Sequence, residues 1–251
     1  MNWIHLVLAI LLFSSCDTRR NQQESAVKGI HWDAAEGLLS VYRDRQATTL
    51  RFVRIEPGSF RMGGEACPGN ILQQEGPRKV RIRNAFWLAA TETTRRQWHA
   101  ISGEPLTDRP DEPITRVSWA DVQKFIQQLN QETGAGFRLP TEAEWEYACR
   151  AGSATPWPWD GDRRQVSQHG WYAGNAGARL HPVARKKPNP WGLYDMHGNA
   201  AEWTQDASGS ANRVLRGGTV LSSAAGTACT CRYHYPAADG YQYAGFRLAV
   251  D

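Results

Sequence analysis

Five cysteines set what covalent chemistry this chain can do. Cys229 and Cys231 stand one residue apart, in Cys229-Thr230-Cys231. A thiolate can attack, hold a soft metal or be oxidised, but a single-residue spacer is not the Cys-x-x-Cys spacing of redox motifs. Cys67 and Cys149 lie far upstream. Leaving Cys16 aside, an even four remain, which in an exported chain permits two disulfides by any of three pairings, or four buried thiols. His31 and His99 stand isolated and read as solvated or core residues. The second constellation is non-covalent. Thr219 to Ala244 contains no Lys, Glu, Met, Trp or Asn and one Gln, and all 11 tryptophans precede it. It is rich in Ala, Tyr and Thr, with Ser and Gly; Tyr, Ser and Gly are the residues of antibody loops, where rigid rings and small adaptable groups make contacts at low entropic cost. This segment reads as a recognition surface.

Framework residues flank it. Arg213-Val214-Leu215-Arg216 closes on Gly217-Gly218, and Gly245-Phe246-Arg247-Leu248-Ala249-Val250 ends the chain. Gly-Phe-Arg-Leu also occurs at 136–139, without surrounding periodicity, so it is not read as a repeat. The remaining elements are upstream. Arg51-Phe52-Val53-Arg54-Ile55 reads as a half-buried strand, Pro57-Gly58-Ser59 as a turn and Phe60 to Gly64 as a returning strand; Lys79 to Arg83 alternates strictly. A short helix is expected from Thr94 to Ser102, stopped by Gly103. Ser118 opens a better one, with Val122, Phe125, Ile126 and Leu129 on one stripe and Gly134 as the stop. Thr141 and Glu144 form a capping box, and Gly152 is expected to close the helix they begin.

With 41% hydrophobic and 22% charged residues the composition is that of a globular protein. The 23 glycines and 13 prolines favour a loop-rich α+β fold, and tryptophans, each able to bury on the order of 200 Å², hold such loops. A net charge of +4 without any long Lys/Arg block argues against a nucleic-acid partner. The apolar run from Trp3 to Phe13 is too short to span a bilayer but fits a secretory leader. It ends in Leu12-Phe13-Ser14-Ser15-Cys16, which resembles a bacterial lipobox, so Cys16 is the expected lipidation site and residues 1–16 the leader. Residues 17–47 read as a tether, with helical periodicity from Ile30 to Tyr42, and residues 48–251 as one domain carrying a variable region at 213–248.

Arg138-Leu-Pro-Thr-Glu-Ala-Glu-Trp-Glu-Tyr147, Asn189-Pro-Trp-Gly-Leu-Tyr-Asp-Met-His-Gly-Asn-Ala-Ala-Glu-Trp203, Arg216-Gly-Gly218 and Gly245-Phe-Arg-Leu248 together resemble the formylglycine-generating-enzyme (sulfatase-modifying factor) family. The resemblance implies a C-type-lectin-like fold in which the first and last strands pair. It also implies where catalysis would sit: the oxygen-dependent enzymes use cysteines at the fourth and ninth positions after Gly-Gly, here Ser222 and Thr227. No catalytic residue is therefore assigned, and a shifted copper-thiolate site on Cys229 and Cys231 is the surviving enzymatic alternative. Iron-dependent relatives would need a histidine triad, which His31 and His99 do not supply. In the family's matching turn calcium is held by side chains at the places of Asp195 and Glu202 and carbonyls at Gly198 and Ala200; hard oxygen donors suit it, but the same residues can close a turn without metal, so no cofactor is required.

The composition of Thr219 to Ala244 resembles a second branch of this fold, the variable proteins of diversity-generating retroelements. There, mutation of adenines in Asn codons reaches many amino acids but never Lys, Glu, Gln, Met or Trp; only Gln242 breaks that rule here. The resemblance implies diversified, ligand-contacting positions at Leu221, Ser222, Ser223, Ala225, Thr227, Tyr233, His234, Tyr235, Ala237, Ala238, Asp239, Tyr241 and Tyr243. The expected partner is a protein or glycan ligand on another cell or host, met from the bacterial envelope through a lipid anchor in the membrane.

Overall fold

The computed structural model describes residues 29–43, 46–64, 67, 76–159 and 161–251. The expectations for the leader, the lipidated Cys16 and the start of the tether lie outside them. The strands are β1 (Gly29–Asp33), β2 (Leu38–Arg43), β3 (Gln46–Ile55), β4 (Gly58–Met62), β5 (Arg78–Ile82) and β6 (Phe86–Ala89), then β7 (Phe137–Arg138), β8 (Ala201–Ser208), β9 (Asn212–Arg216), β10 (Arg232–Pro236), β11 (Ala244–Gly245) and β12 (Ala249–Val250). The helices are α1 (Arg95–Ser102), α2 (Trp119–Thr133), α3 (Glu142–Arg150) and the single turn α4 (Val166–His169).

Helix starts follow local chemistry. Thr94, Ser118 and Thr141 each accept from the third helical amide while Gln97, Asp121 and Glu144 reach back, so all three longer helices begin in capping boxes. Gly103 and Gly134 end α1 and α2 in the left-handed conformation. Helix α3 stops one residue earlier than expected: Ala151, at φ 46°, is its left-handed cap, and Gly152 only continues the turn. The stripe Val122, Phe125, Ile126, Leu129 is buried as its spacing requires.

Three sheets organise the described residues. One runs β1-β2-β3-β6-β12-β7, a second β10-β9-β8-β11, and β4-β5 is a separate ribbon. Three expectations change here. Residues 30–42 are not helical: β1 and β2 form a hairpin, Ile30 opposite Val41 and Trp32 opposite Leu39, with Leu39 and Val41 fully buried. That hairpin extends the main sheet into the segment read as tether. The chain after Pro57-Gly58 does not return along β3, because β4 pairs instead with β5. The first and last strands share a sheet without touching, since β2, β3 and β6 lie between β1 and β12.

The larger core lies where the main sheet meets α1, α2 and the second sheet, around Phe52, Trp98, Phe125, Leu129, Trp203 and Phe246. Trp98 stacks on Phe125 at 4.7 Å, and Phe246 meets both edge-on. A second cluster packs α3, through Trp145 and Ala148, on Ile55, Phe86 and Leu88.

Candidate ligand-binding site

The segment from Thr219 to Ala244 rests on a frame of buried charge pairs. Arg247 gives Nε and Nη2 to the two oxygens of Glu202 at 2.6 and 2.7 Å, and Trp145 Nε1 donates to Glu202 at 2.7 Å. Arg216 pairs with Glu146, which also takes Arg150 Nε at 2.9 Å and the Gly63 amide at 2.8 Å. The motif residues thus hold one another: the terminal Gly-Phe-Arg-Leu to the Glu-Trp of β8, and Arg216 of β9 to α3. Charges this deeply buried need such pairing.

The turn from Asp195 to Glu202 is part of the same frame. Asp195 and Asn199 adopt left-handed φ of 57° and 60°, which these residue types tolerate. At Gly198 a Cβ would fall 2.0 Å from the Trp171 carbonyl, so only glycine fits. Asn199 Nδ2 and the Ala200 amide both donate to Glu92 at 2.8 Å. Burial, then the neighbouring Asp195 and Glu202 carboxylates, push the Glu92 carboxyl well above its ordinary range. Burial also raises Asp195, to about 6. As a calcium cage the four expected ligands do not fit in this arrangement. Glu202 has both oxygens engaged by Arg247 and Trp145, leaving Asp195 Oδ1 as the one unpartnered carboxylate oxygen of the set. The group of three metal-capable side chains found among the described residues lies elsewhere, at Cys149, His197 and Cys229.

The cysteines resolve into two bonds, Cys67–Cys231 and Cys149–Cys229. Cys229 and Cys231 therefore face different partners, and the shifted thiolate pair does not exist in this state. Ser222 and Thr227 carry hydroxyls engaged locally: Ser222 Oγ accepts the Thr219 amide at 3.0 Å, and Thr227 Oγ1 donates to Ala224 O at 2.9 Å.

Main-chain bonds fix the whole segment. Val220 N donates to Asn199 O, Ala173 N to Ser222 O, Cys229 N to Pro156 O, Trp119 N to Ala237 O, Arg116 N to Tyr241 O and Ala201 N to Tyr243 O, all at 2.8–3.2 Å. β10 lies along β9 with Tyr233 opposite Leu215 and Tyr235 opposite Arg213. None of these bonds depends on which side chain the residue carries.

The side chains divide between surface and core, and Tyr235 and Tyr241 lay part of their rings against the larger core. Leu221 is 47% exposed, Ser223, Ala238 and Asp239 are exposed, and Ser222, Ala225, His234, Tyr235, Ala237, Tyr241 and Tyr243 are half-buried. Tyr235 lies 5.0 Å from Tyr241, which meets Tyr243 edge-on at 6.0 Å. Tyr243 packs in a small cluster with Val220, so the aromatic patch continues toward Leu221 and Ser223. Two expected contact residues are otherwise disposed. Thr227 is fully buried. Tyr233 packs into the core, and its hydroxyl donates to Gly226 O at 2.7 Å and lies 3.4 Å from Cys67 Sγ, so it braces the loop. Spacing gave a sign of this: in β10, Tyr233 is the tyrosine nearest the Cys229–Cys231 anchor. Sequence reasoning missed His197 altogether, since a single histidine in a turn carries no spacing signal.

Comparison with known proteins agrees with this architecture. The profile of the sulfatase-modifying factor enzyme 1-like domain matches residues 39–251. The formylglycine-generating enzyme of Thermomonospora curvata is 32% identical over 169 residues, covering 59% of this chain and 49% of that protein. The inactive C-alpha-formylglycine-generating enzyme 2 of Bos taurus is 32% identical over 162 residues, covering 59% and 52%. The chain thus spans about half the length of these curated relatives. Among solved structures, Treponema denticola variable protein 1 superposes with a TM-score of 0.71 at 25% identity, covering 81% of this chain and 95% of that one. The fold is the loop-rich, C-type-lectin-like one that the motifs implied. Because the match takes in nearly all of the described residues, the chain belongs to the sulfatase-modifying factor enzyme 1-like family.

Proposed function

We propose that this chain is a lipid-anchored, non-enzymatic binding protein whose surface at 219–244 is diversified by a retroelement to meet varied protein or glycan ligands. One observation carries the reading. The segment's backbone is held by main-chain bonds and two disulfides, while Leu221, Ser223, Ala238 and Asp239 are exposed and Tyr235, Tyr241 and Tyr243 keep part of their rings at the surface. A surface so built changes its chemistry without changing its shape. Rigid aromatic anchors supply contact area, and Ser222, Ser223 and Asp239 supply adaptable hydrogen bonds. In this reading a lipid on Cys16 holds the protein at the bacterial envelope, with the surface at 219–244 turned to its outer side.

The rival reading, a sulfatase-maturing oxidase, needs a thiol pair that positions 222 and 227 lack. Two measurements test the proposal together. Sister copies of the gene, and a near-duplicate sequence downstream beside a reverse transcriptase, should show substitutions confined to the outward positions and none at Thr227 or Tyr233. Incubation with copper, oxygen and a cysteine-containing sulfatase peptide should give no turnover; aldehyde formation would end the binding-only reading.

A further inference from the structure

A buried histidine faces the Cys149–Cys229 bond with nothing to bind. His197 Nδ1 lies 2.8 Å from the Thr227 carbonyl, which can only accept, so Nδ1 carries the ring hydrogen and Nε2 bears a free lone pair. Nε2 lies 3.7 Å from Cys149 Sγ and 4.0 Å from Cys229 Sγ. A disulfide has no hydrogen to give, so this acceptor, on a residue only 1% exposed, has no donor there. Burial holds the imidazole neutral by pushing its pKa down to about 4.

We propose that Cys149, Cys229 and His197 form a binding site for a zinc-class divalent cation when the Cys149–Cys229 bond is open, so that metal and disulfide are alternative links between the same elements. The geometry is close to what such an ion needs. Bonds of about 2.3 Å to sulfur and about 2.0 Å to nitrogen at tetrahedral angles set N···S separations near 3.6 Å. The imidazole already stands at nearly that distance from both sulfurs; only the sulfurs must part, to roughly 3.8 Å, by side-chain rotation. Charge agrees as well, since two thiolates neutralise a divalent cation and the filled site adds no net charge to a dry interior. The Thr227 carbonyl on Nδ1–H is the outer partner that fixes a metal-binding tautomer. Three protein ligands leave one position open. Trp159 covers His197 edge-on at 4.7 Å and is itself half-buried, so this side of the site lies one ring beneath the surface.

The chemistry balances with a dithiol as reductant. Its two thiols pass two electrons and two protons to the protein, the Sγ–Sγ bond breaks to give two cysteine thiols, and the dithiol closes into its own disulfide. Metal binding then releases both thiol protons to solvent. Either link ties Cys229, at the base of the outward segment, to Cys149 of α3, and the metal adds the Asp195–Asn199 turn. This inference holds whatever ligand the surface meets.

The test uses the full chain and cadmium as a spectroscopic stand-in for zinc, followed through thiolate-to-metal absorption. The oxidised chain should take up none. After reduction with a phosphine, which leaves the metal free, one cadmium should bind per chain, at least about tenfold tighter than to the same reduced chain unfolded in urea. His197→Gln, which keeps a donor for Thr227, should weaken binding about tenfold or more while retaining a cooperative melt. Cys67→Ser should leave it unchanged. Binding no tighter than in urea, or unaffected by His197→Gln, would overturn the site.

Discussion

Arg247 and Glu202 meet as a two-bond pair, 45 residues apart in sequence and both fully buried, and with Trp145 they join three of the chain's motifs at one point. Removing one member strands the other charge in the core. Arg247→Met should destabilise the domain by about 3–5 kcal/mol, and Glu202→Gln by a comparable amount. Urea midpoints of the single and double replacements check this. If the double replacement is milder than either single one, the loss is the stranded charge and not the lost packing.

The pH dependence of stability should come from His197 on one side and the neighbouring Asp195 and Glu92 carboxyls on the other. His197 has a folded pKa of about 4 against an ordinary 6.5, so the unfolded chain takes up a proton that the folded one refuses. Its contribution is complete above about 6.5 and is lost as pH falls toward 4, on the order of 3 kcal/mol. Asp195 acts in the other direction. Its folded pKa of about 6 exceeds the ordinary 3.8, so its contribution is full below 3.8 and is lost as pH rises through 6. Glu92, also raised by burial, acts in the same direction as Asp195. Denaturation series in the oxidised state should show His197→Gln losing stability as pH rises, and Asp195→Asn losing less of it than the parent chain as pH rises from about 4 to 6. Parallel curves for all three proteins would contradict the assignment.

Replacing the outward tyrosines should separate binding from folding. Tyr235→Ser, Tyr241→Ser and Tyr243→Ser should each cost less than Tyr233→Ser, because their main-chain bonds persist and each gives up only partial packing, without a buried hydroxyl bond. Tyr233→Ser removes both core packing and the bond to Gly226, and should cost about 2 kcal/mol or more. Thermal melts of the four variants test the ranking, which fails if Tyr241→Ser is the most damaging.

Calcium should not matter to the folded state, since Arg247 already neutralises Glu202. Titrating a calcium chelator into the protein should leave the melting temperature in place. A drop of several degrees, restored by calcium, would show that Glu202 exchanges Arg247 for the ion.

The comparison between chain and fold follows the reach of each interaction. Helix starts were legible because a capping box spans four residues: Thr94 with Gln97, Ser118 with Asp121, Thr141 with Glu144. The α2 stripe was legible for the same reason. The β1-β2 hairpin was not, because Ile30, Ala34, Leu38 and Val41 also keep helical spacing, and only the neighbouring β3, paired residue by residue from Leu38 to Arg43, selects the strand. The recognition segment was visible in its composition, yet composition cannot say how deep a side chain sits, so the buried Thr227 and the loop-bracing Tyr233 were grouped with residues that reach the surface.

By itself the sequence determined the frame, through motifs whose charged members need partners, and the chemical character of one surface, through the residues that surface excludes. Only the tertiary structure decided which cysteines pair, which tyrosines brace the loop and where His197 aims its lone pair. Those choices join positions 32 to 164 residues apart, and no local periodicity records a contact that exists only once the chain has closed on itself.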